Sequence, residues 1–424
     1  MRYSTLVLGI LSACATSGAV GHLDGQDIPL SLHGFAQINW SVRTTGASPE
    51  AESSGDYLLG EERLQLELSH IGGDGRAEFL SKVDLVHDAV SGRAAVDLRE
   101  AYVDLALGRV GVRVGRQVIT WGVGDLLFVS DVFPKDWSAF FSGQTVEYLK
   151  LGSDAVSFDL RAGRASLDVV VMPIFRADRR PEPDRFVLPD PFAAAVRDYS
   201  VPTAELEHAQ VAARVRTRIG GADVALSAHR GYFGMPSARP VGGPDAPASR
   251  VLESHPRLDV FAVSLRRPAL AGLISAEVGY RKSRDDPAGV DPWVPNSEIR
   301  ALAGYQRAVG RDGVFGIQYY LESMRNHDLY RATLPEGVFP KGRLRQVLMS
   351  RLVRYADYHQ WEISAVAFYG LKDGDLLVIP TLRRQFSDEL SISLGANVFG
   401  GESTTPFGAL SENDNLFIAG RYSF

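Results

Sequence analysis

The chain has 424 residues, of which 45% are hydrophobic and 23% are charged, and its formal net charge is −6. The slight acidic excess argues against a nucleic-acid partner, because such proteins need a basic surface that displaces counterions from phosphates. The single cysteine, Cys14, excludes a disulfide framework and a thiolate metal cluster. The length suits either several soluble domains or one large all-β barrel.

A membrane-spanning helix needs about 20 consecutive apolar residues. The only uncharged stretch of comparable length covers residues 3–23, at the start of the chain. A polytopic helical membrane protein is therefore excluded. A membrane β-barrel is still compatible with the sequence, because each of its strands needs only alternate apolar residues.

The first residues have the layout of a secretory signal peptide. Arg2 supplies a positive charge, residues 6–11 form a short apolar core, and small residues follow up to Ala19. We expect residues 1–19 to be removed during Sec export, with cleavage between positions 13 and 21. Residues 11–14 also fit a lipoprotein box, in which Cys14 would be lipidated. Cleavage beyond Cys14 would leave a mature chain without cysteine, which suits an oxidising periplasm.

The remaining chain alternates apolar and polar residues with a period of two. Leu64, Leu66 and Leu68, for example, alternate with Arg63 and Gln65, and the same pattern recurs in 101–107, 211–219, 315–322 and 391–398. This period places apolar side chains on one face of a strand and polar side chains on the other. The exception is 191–199, where one or two helical turns fit the sequence.

The pattern predicts 18 strands, or 16 if two have been divided falsely. Short turns alternate with long connectors, which is typical of outer-membrane barrels with periplasmic turns and external loops. We therefore predict an all-β fold, a transmembrane antiparallel barrel over residues 20–424 as a single domain in the bacterial outer membrane. The predicted strands are 31–43, 58–71, 75–88, 95–108, 110–122, 148–161, 165–175, 207–219, 222–233, 256–267, 272–283, 297–309, 313–325, 343–355, 359–370, 375–386, 390–400 and 415–424.

The last predicted strand places Tyr422 and the final residue, Phe424, on its apolar face. Outer-membrane barrels typically end in such a strand, with an aromatic residue at the terminus and another two positions earlier. The barrel-assembly machinery reads this pattern, so we expect that machinery and outer-membrane lipid to be partners of the chain.

A barrel of 16 to 18 strands leaves an aqueous channel, whereas one of eight strands is filled by its own side chains. Arginine rings in such a lumen favour anions. The alternative is that the arginines pair with lumenal carboxylates and brace the wall. The candidate arginines are Arg214, Arg216 and Arg218 on one strand and Arg343 and Arg345 on another.

The connector 123–147 is apolar and aromatic, unlike the other long connectors. Exposing so much apolar surface outside the cell is unfavourable, so this loop is predicted to fold inward as a constriction. Asp125, Asp131 and Asp136 are candidates to line it. Because no histidine lies near them, we expect these carboxylates to be satisfied within the loop. Neither a metal ion nor a cofactor is expected.

Three segments resemble a known pattern: 98–104 (LREAYVD), 114–122 (VGRQVITWG) and 131–136 (DVFPKD). They are similar to a family of porin-like outer-membrane barrels of Gram-negative bacteria, some of which are found with RND-type exporters. The resemblance covers about 40 residues and implies a transport barrel. It departs from the family pattern at Phe133, where a small or polar residue is expected.

The residues of these segments suggest how the loop is held. Gly115 and Gly122 would allow it to approach the wall, and Arg116 and Gln117 offer donors to its carboxylates. We expect Arg116 to pair with Asp131 or Asp136. The nearby Trp121 completes the set of candidate pore-lining residues.

These features predict a channel for small solutes. One alternative is a barrel that serves an export or electron-transfer assembly with a periplasmic or exporter partner. A barrel enzyme is the weakest reading, because hydrolase, zinc-protease and phosphate-loop motifs are missing and no cysteine nucleophile is expected in the mature chain. We therefore assign no catalytic residues.

Overall fold

A computed structural model describes residues 30–46, 55–190, 192, 195–241, 249–336 and 338–424. The predicted signal peptide, 1–19, and Cys14 lie outside these ranges. None of the helices in them is long and apolar enough to cross a membrane.

Eighteen strands form one closed antiparallel sheet, in which the first strand pairs with both the second and the last. The predicted all-β barrel is confirmed, and each of the 18 predicted strands overlaps one strand of the sheet. Numbering all strands in chain order, the barrel consists of β1 Ser31–Arg43, β2 Tyr57–Ile71, β3 Ala77–Asp88, β4 Arg93–Leu107, β5 Val110–Gln117, β6 Ser153–Ala162, β7 Ala165–Met172, β9 Gln210–Ile219, β10 Ala222–Tyr232, β13 Arg257–Ala269, β14 Gly272–Ser283, β15 Glu298–Ala308, β16 Gly313–Met324, β17 Leu344–Ala356, β18 Trp361–Gly370, β19 Leu376–Gln385, β20 Leu390–Gly400 and β21 Asn415–Ser423.

The two ends of the barrel differ in the length of their connectors. The end that carries the first residue of β1 and the last of β21 has eight turns of two to five residues. We call it the turn end. At the opposite end, the loop end, most connectors are long, and only 89–92 and 371–375 are short. This asymmetry agrees with the predicted alternation of tight turns and long loops.

The outer face of the barrel is apolar, as the period of two predicts. Ile38 and Phe261 are each 51% exposed, and similar apolar side chains recur on every second position of their strands. Gln37 and Asn39, the neighbours of Ile38, point inward and are buried. In a bilayer the outer set would contact lipid, while the backbone polar groups remain paired between strands.

Part of the inner face is apolar as well, contrary to the predicted polar lumen. Near the loop end, β15 to β20 turn Leu302, Met349, Phe368, Leu377 and Phe399 inward. These side chains form a core with residues of the long connector after β5. One half of the lumen is therefore packed like the interior of a soluble protein.

That connector is longer than the predicted loop 123–147. β5 ends at Gln117 and β6 begins at Ser153, whereas the sequence pattern extended these strands to 122 and from 148. A carboxylate oxygen of Glu100 accepts a hydrogen bond from the Val118 amide at 3.1 Å. This side-chain bond replaces the next rung of the β4–β5 ladder, so the chain leaves the wall there. We call residues 118–152 the inward segment.

A separate three-stranded sheet lies among the loops and was missed by the sequence analysis. It consists of β8 Val196–Ser200, β11 Ser237–Val241 and β12 Arg250–Ser254, with β8 and β12 parallel. The expectation of helical turns over 191–199 is therefore wrong from Val196 onward. Pairing of β8 with β12, 54 positions further along the chain, decides this conformation, and local periodicity cannot reveal it.

The chain terminus closes the barrel. The Phe424 amide donates to the Gly34 carbonyl at 2.9 Å, and the Gly34 amide donates to the Phe424 carbonyl at 3.0 Å. A Cβ atom at Gly34 would lie 2.8 Å from the Phe424 ring, so glycine leaves room for this aromatic group. Tyr422 lies on the outer face. Recognition of these residues by the assembly machinery stays a prediction.

The β13–β14 turn holds two non-glycine residues in an unfavourable backbone conformation, and the effect on the free energy of unfolding can be measured. Leu270 and Ala271 have φ angles of 54° and 55°, and this left-handed conformation costs a non-glycine residue roughly 1–2 kcal/mol. Replacing the pair by Leu270→Asn with Ala271→Gly is expected to raise the free energy of unfolding by about 1–2 kcal/mol. Urea unfolding of the barrel in phospholipid vesicles would measure this change.

The matched control is Gly163→Ala, in the β6–β7 turn. Gly163 has a φ angle of 61° and no atom near its missing Cβ, so this exchange should lower the stability through the backbone alone. Equal stability of all three proteins would contradict the assignment of strain to the turn.

Candidate functional site

The inward segment is anchored to the far wall of the barrel by one buried carboxylate. Glu277, on β14, is 1% exposed. Its two oxygens accept hydrogen bonds from the Val123 and Ser130 amides, each at 3.1 Å, and it also accepts from the Ser130 hydroxyl. A buried carboxylate is tolerated only when donors satisfy it, so Glu277 fixes where the segment crosses the lumen.

Gly122 lies beside this anchor, as the sequence analysis expected. A Cβ at Gly122 would lie 3.0 Å from a Glu277 oxygen, and its φ angle is 91°. Gly115 acts differently from the prediction. Its Cβ would meet the Ala101 carbonyl oxygen at 2.2 Å, so this glycine allows close contact with β4 instead of with the inward segment.

A second anchor holds the short helix Trp137–Phe141. Asp136 caps its first turn by accepting a hydrogen bond from the Ala139 amide at 2.8 Å. At the other end, Asn397 and Asn415 donate to the Phe141 carbonyl at 2.9 and 3.2 Å. The side-chain amides of β20 and β21 therefore satisfy a helix end that would otherwise be buried without partners.

The aspartates of the segment serve its own structure. Asp131 is buried between the ammonium groups of Lys135, at 3.2 Å, and Lys150. Burial lowers the pKa of Lys135, while Asp131 acts in the opposite direction. Asp136 pairs with Arg179 at 3.2 Å. Asp125 is held through its amide, which donates to Gln318 at 3.3 Å.

The predicted pairing of Arg116 with Asp131 or Asp136 is wrong. Arg116 makes two hydrogen bonds to Asp154, its direct neighbour on β6, at 2.9 and 2.7 Å. On β5, Arg116 shares a face with the exposed Val114, whereas the buried Gln117 lies on the other face. Arg116 was predicted to line the pore, but the alternation along β5 places it on the outer face.

Gln117, Trp121 and Phe133 lie inside the barrel and are buried. Gln117 accepts a hydrogen bond from Ser157 at 2.8 Å and donates to the Ala155 carbonyl at 3.2 Å. Trp121 packs edge-on against Phe133, with ring centroids 5.2 Å apart. Phe133 thus fills an apolar cluster, which accounts for an aromatic residue at this position.

The lumenal arginines of β9 face inward as predicted, and carboxylates pair with all three. Arg214 and Arg216 share Asp168 at 2.9 and 2.8 Å, and Arg218 pairs with Asp223 at 2.8 Å. Arg214 also lies over the Trp121 ring, 4.7 Å from its centroid. These arginines brace the wall, as the alternative reading held.

The arginines near the start of β17 do not form a positive ring either. Arg345 pairs with Asp373 and Asp375 at 2.7 and 3.0 Å. Arg343 precedes the strand and is exposed at the loop end. Neither lines the cavity described next, so their positions do not support the prediction that they line the pore.

A cavity of about 310 Å³ remains between the inward segment, the wall formed by β2 to β4 and residues 179–185 of the connector after β7. We call it the passage. Five guanidinium groups and six carboxylates line it, together with smaller side chains of the segment. The charged lining residues are Arg63, Arg99, Arg179, Arg180, Arg185, Glu61, Asp88, Asp97, Asp136, Glu182 and Asp184.

Tyr148 forms the centre of one side of the passage. Arg63 and Arg99 lie over its ring, with their guanidinium carbons 4.1 and 4.5 Å from the centroid. Gln144 donates to Glu61 at 2.9 Å, which ties the segment to β2. Cation–π contacts and a hydrogen bond thus hold the inward segment against the wall beside the passage.

Of the passage residues, only Asp136 was a sequence candidate. The sequence does contain an indirect indication of where the other lining residues lie. β17 to β19 are apolar on both faces near the loop end, for example at Leu348 and Met349. A strand that is apolar on both sides must be covered on both sides. The inward segment therefore had to pack there, which leaves the polar wall of β2 to β4 open.

No protein-family model and no curated protein sequence matches the chain. Among solved structures, it is similar to OccK11 (OpdR) of Pseudomonas aeruginosa, with a TM-score of 0.51 and 11% identity over 93% of this chain and 96% of that one. Weaker likenesses include a double mutant of Rh. blastica porin, with a TM-score of 0.44 at 13% identity, and Salmonella typhi OmpF in complex with daunomycin, at 0.45 and 9%. These cover 93% of this chain and 100% and 97% of theirs.

At these identities the comparison establishes the fold alone. The chain is an all-β, 18-stranded antiparallel closed barrel, the architecture of outer-membrane porins.

The Glu277 anchor gives a direct test of how the segment is held. Glu277→Gln replaces one accepting oxygen by an amide group that faces a backbone donor. We expect the free energy of unfolding to fall by about 2 kcal/mol or more, because a buried donor loses its partner. Adding Ser130→Ala should make the loss smaller than the sum of the two single changes, as residues that share a hydrogen bond are coupled.

Glu389→Gln, in the exposed β19–β20 turn, is the matched control and should change the stability by less than about 0.5 kcal/mol. If both glutamine variants unfold at the same urea concentration, the anchoring role of Glu277 is wrong.

Proposed function

We propose that the chain is a channel for small polar solutes across the bacterial outer membrane, and that the passage is its narrowest part. The observation that carries this proposal is the cavity itself. It lies inside a closed 18-stranded barrel, and barrels of this size enclose an aqueous channel unless a plug fills them. Export by a Sec signal and insertion by the assembly machinery belong to the same proposal.

The inward segment narrows the barrel and leaves one side free. Its aromatic side chains pack against β15 to β20, where Phe141 meets Phe399 with centroids 5.8 Å apart. The other side of the segment presents Ser138, Ser142 and Gln144 to the passage. This polarity suits a hydrated solute, because a polar lining replaces part of its hydration shell.

The lining also argues for weak charge selectivity. Arg185 pairs with Asp88, and Arg179 lies 3.7 Å from Asp97. Carboxylates therefore neutralise part of the positive charge of the guanidinium groups that line the passage. The idea of an anion-selective arginine ring is not favoured, since the β9 arginines are paired as well. We infer a channel that accepts small polar molecules of either charge.

A cysteine placed in the passage tests the pathway. Ser138 lines the cavity and sits on the helix of the inward segment. In a Cys14→Ser background, Ser138→Cys should conduct like the parent protein in planar bilayers. Labelling with a cationic methanethiosulfonate reagent should then lower the single-channel conductance roughly twofold, because added bulk and charge obstruct the narrowest point.

Ser387→Cys, in an exposed turn at the turn end, is the control and should keep its conductance after the same labelling. A parent protein without stable conductance steps would contradict the channel. Unchanged conductance of labelled Ser138→Cys, with labelling confirmed by mass, would show that solute takes another path.

A further inference from the structure

An unusual group of cations lies on the outer surface of the barrel at the loop end. Arg230 on β10 is the direct neighbour of Asp259 on β13, and Asp259 is the neighbour of Lys282 on β14. Arg257 and Arg284 lie beside them, and the Arg284 amide donates to the Arg257 carbonyl at 3.0 Å. We call the four cations, Arg230, Arg257, Lys282 and Arg284, the basic rim.

Arg230, Asp259 and Lys282 are neighbours across three strands, and the alternation of side chains places all three on the outer face. Phe261 and Tyr280, two positions below Asp259 and Lys282 on their strands, are exposed apolar side chains of the outer face. The intervening His229 and Val260 point into the barrel and are buried. The basic rim therefore begins where the apolar band ends, at the level of lipid headgroups.

The positive charge of the rim is only partly offset. Asp259, 5% exposed, lies beneath the cations, 3.0 Å from Arg230 and 3.8 Å from Arg284. Arg257 pairs with Asp285 at 2.6 Å. Four cations thus share two carboxylates, and the Arg230 side chain is 66% exposed.

Other charged groups of the outer face at this level form simple pairs. Arg116 faces Asp154, and His87 lies 3.2 Å from Glu62. At the basic rim, by contrast, four outward cations face two carboxylates. The guanidinium and ammonium groups of the basic rim lie together at the edge of the apolar band. Such groups bind the phosphate oxygens of a lipid headgroup.

We propose that the basic rim binds the phosphate groups of a phosphorylated lipid in the outer leaflet, with the acyl chains lying along Phe261 and Tyr280. This site is independent of the proposed channel, because it lies on the opposite face of the wall. The lipid would brace β10, β13 and β14, and β14 also carries the Glu277 anchor on its inner side.

Native mass spectrometry of the full mature barrel would test the site, with lipid A bearing two phosphates as the probe. We expect the wild-type protein to retain this lipid, and Arg230→Gln with Lys282→Gln to weaken its binding about tenfold or more. Phosphatidylcholine should bind no more tightly to the wild type than to this variant.

The matched control is Arg267→Gln with Arg307→Gln. These are exposed cations of the outer face at the turn end, so the same charge is removed from the opposite border. Lipid A binding should be unchanged in this variant. The single variant Arg230→Gln keeps the test valid if the double variant folds poorly, since its side chain is largely exposed.

Three outcomes would overturn the proposal. The first is equal lipid A binding by the wild type and both double variants. The second is equal binding of lipid A from which the phosphates have been removed. The third is displacement of lipid A by millimolar inorganic phosphate, which would identify a free anion site and not a lipid site.

Discussion

The structure depends on one constraint, that a sheet in a membrane must leave no edge. An unpaired strand in hydrocarbon would expose backbone donors and acceptors that nothing could satisfy. The seam between β1 and β21 meets this requirement, and Phe424 extends it to the last residue through its two bonds with Gly34. Once the sheet is closed, its outer face must be apolar and its inner face must find other partners.

The inner face meets this need in two different ways. Near the loop end, β15 to β20 present apolar side chains inward, and the aromatic side chains of the inward segment cover them. On β2 to β4 the inner face is charged, and ion pairs such as Arg63 with Asp84 satisfy it. The lumen therefore contains packed apolar regions and an open cavity, and this cavity, the passage, lies beside the charged wall of β2 to β4.

Charge pairing also limits what the lumen can do. A guanidinium group that shares a carboxylate, as Arg214 and Arg216 share Asp168, contributes mainly to the rigidity of the wall. The same side chain without a carboxylate would attract anions. The number of arginines in a barrel lumen is thus a poor guide to ion selectivity. Carboxylates on the neighbouring strand determine how many of these arginines are neutralised by pairing.

The sequence by itself determined the barrel, its strands and the inward fold of the connector after β5. Alternation with a period of two is a local property, so Leu64 or Ile392 already shows which face is apolar. Only the tertiary structure decided the partners. Arg116 meets Asp154 because β6 returns beside β5, and Glu277 meets Val123 across 154 positions of the chain. Such contacts depend on strand register and on the path of a loop through the lumen, and the local sequence around each residue determines neither.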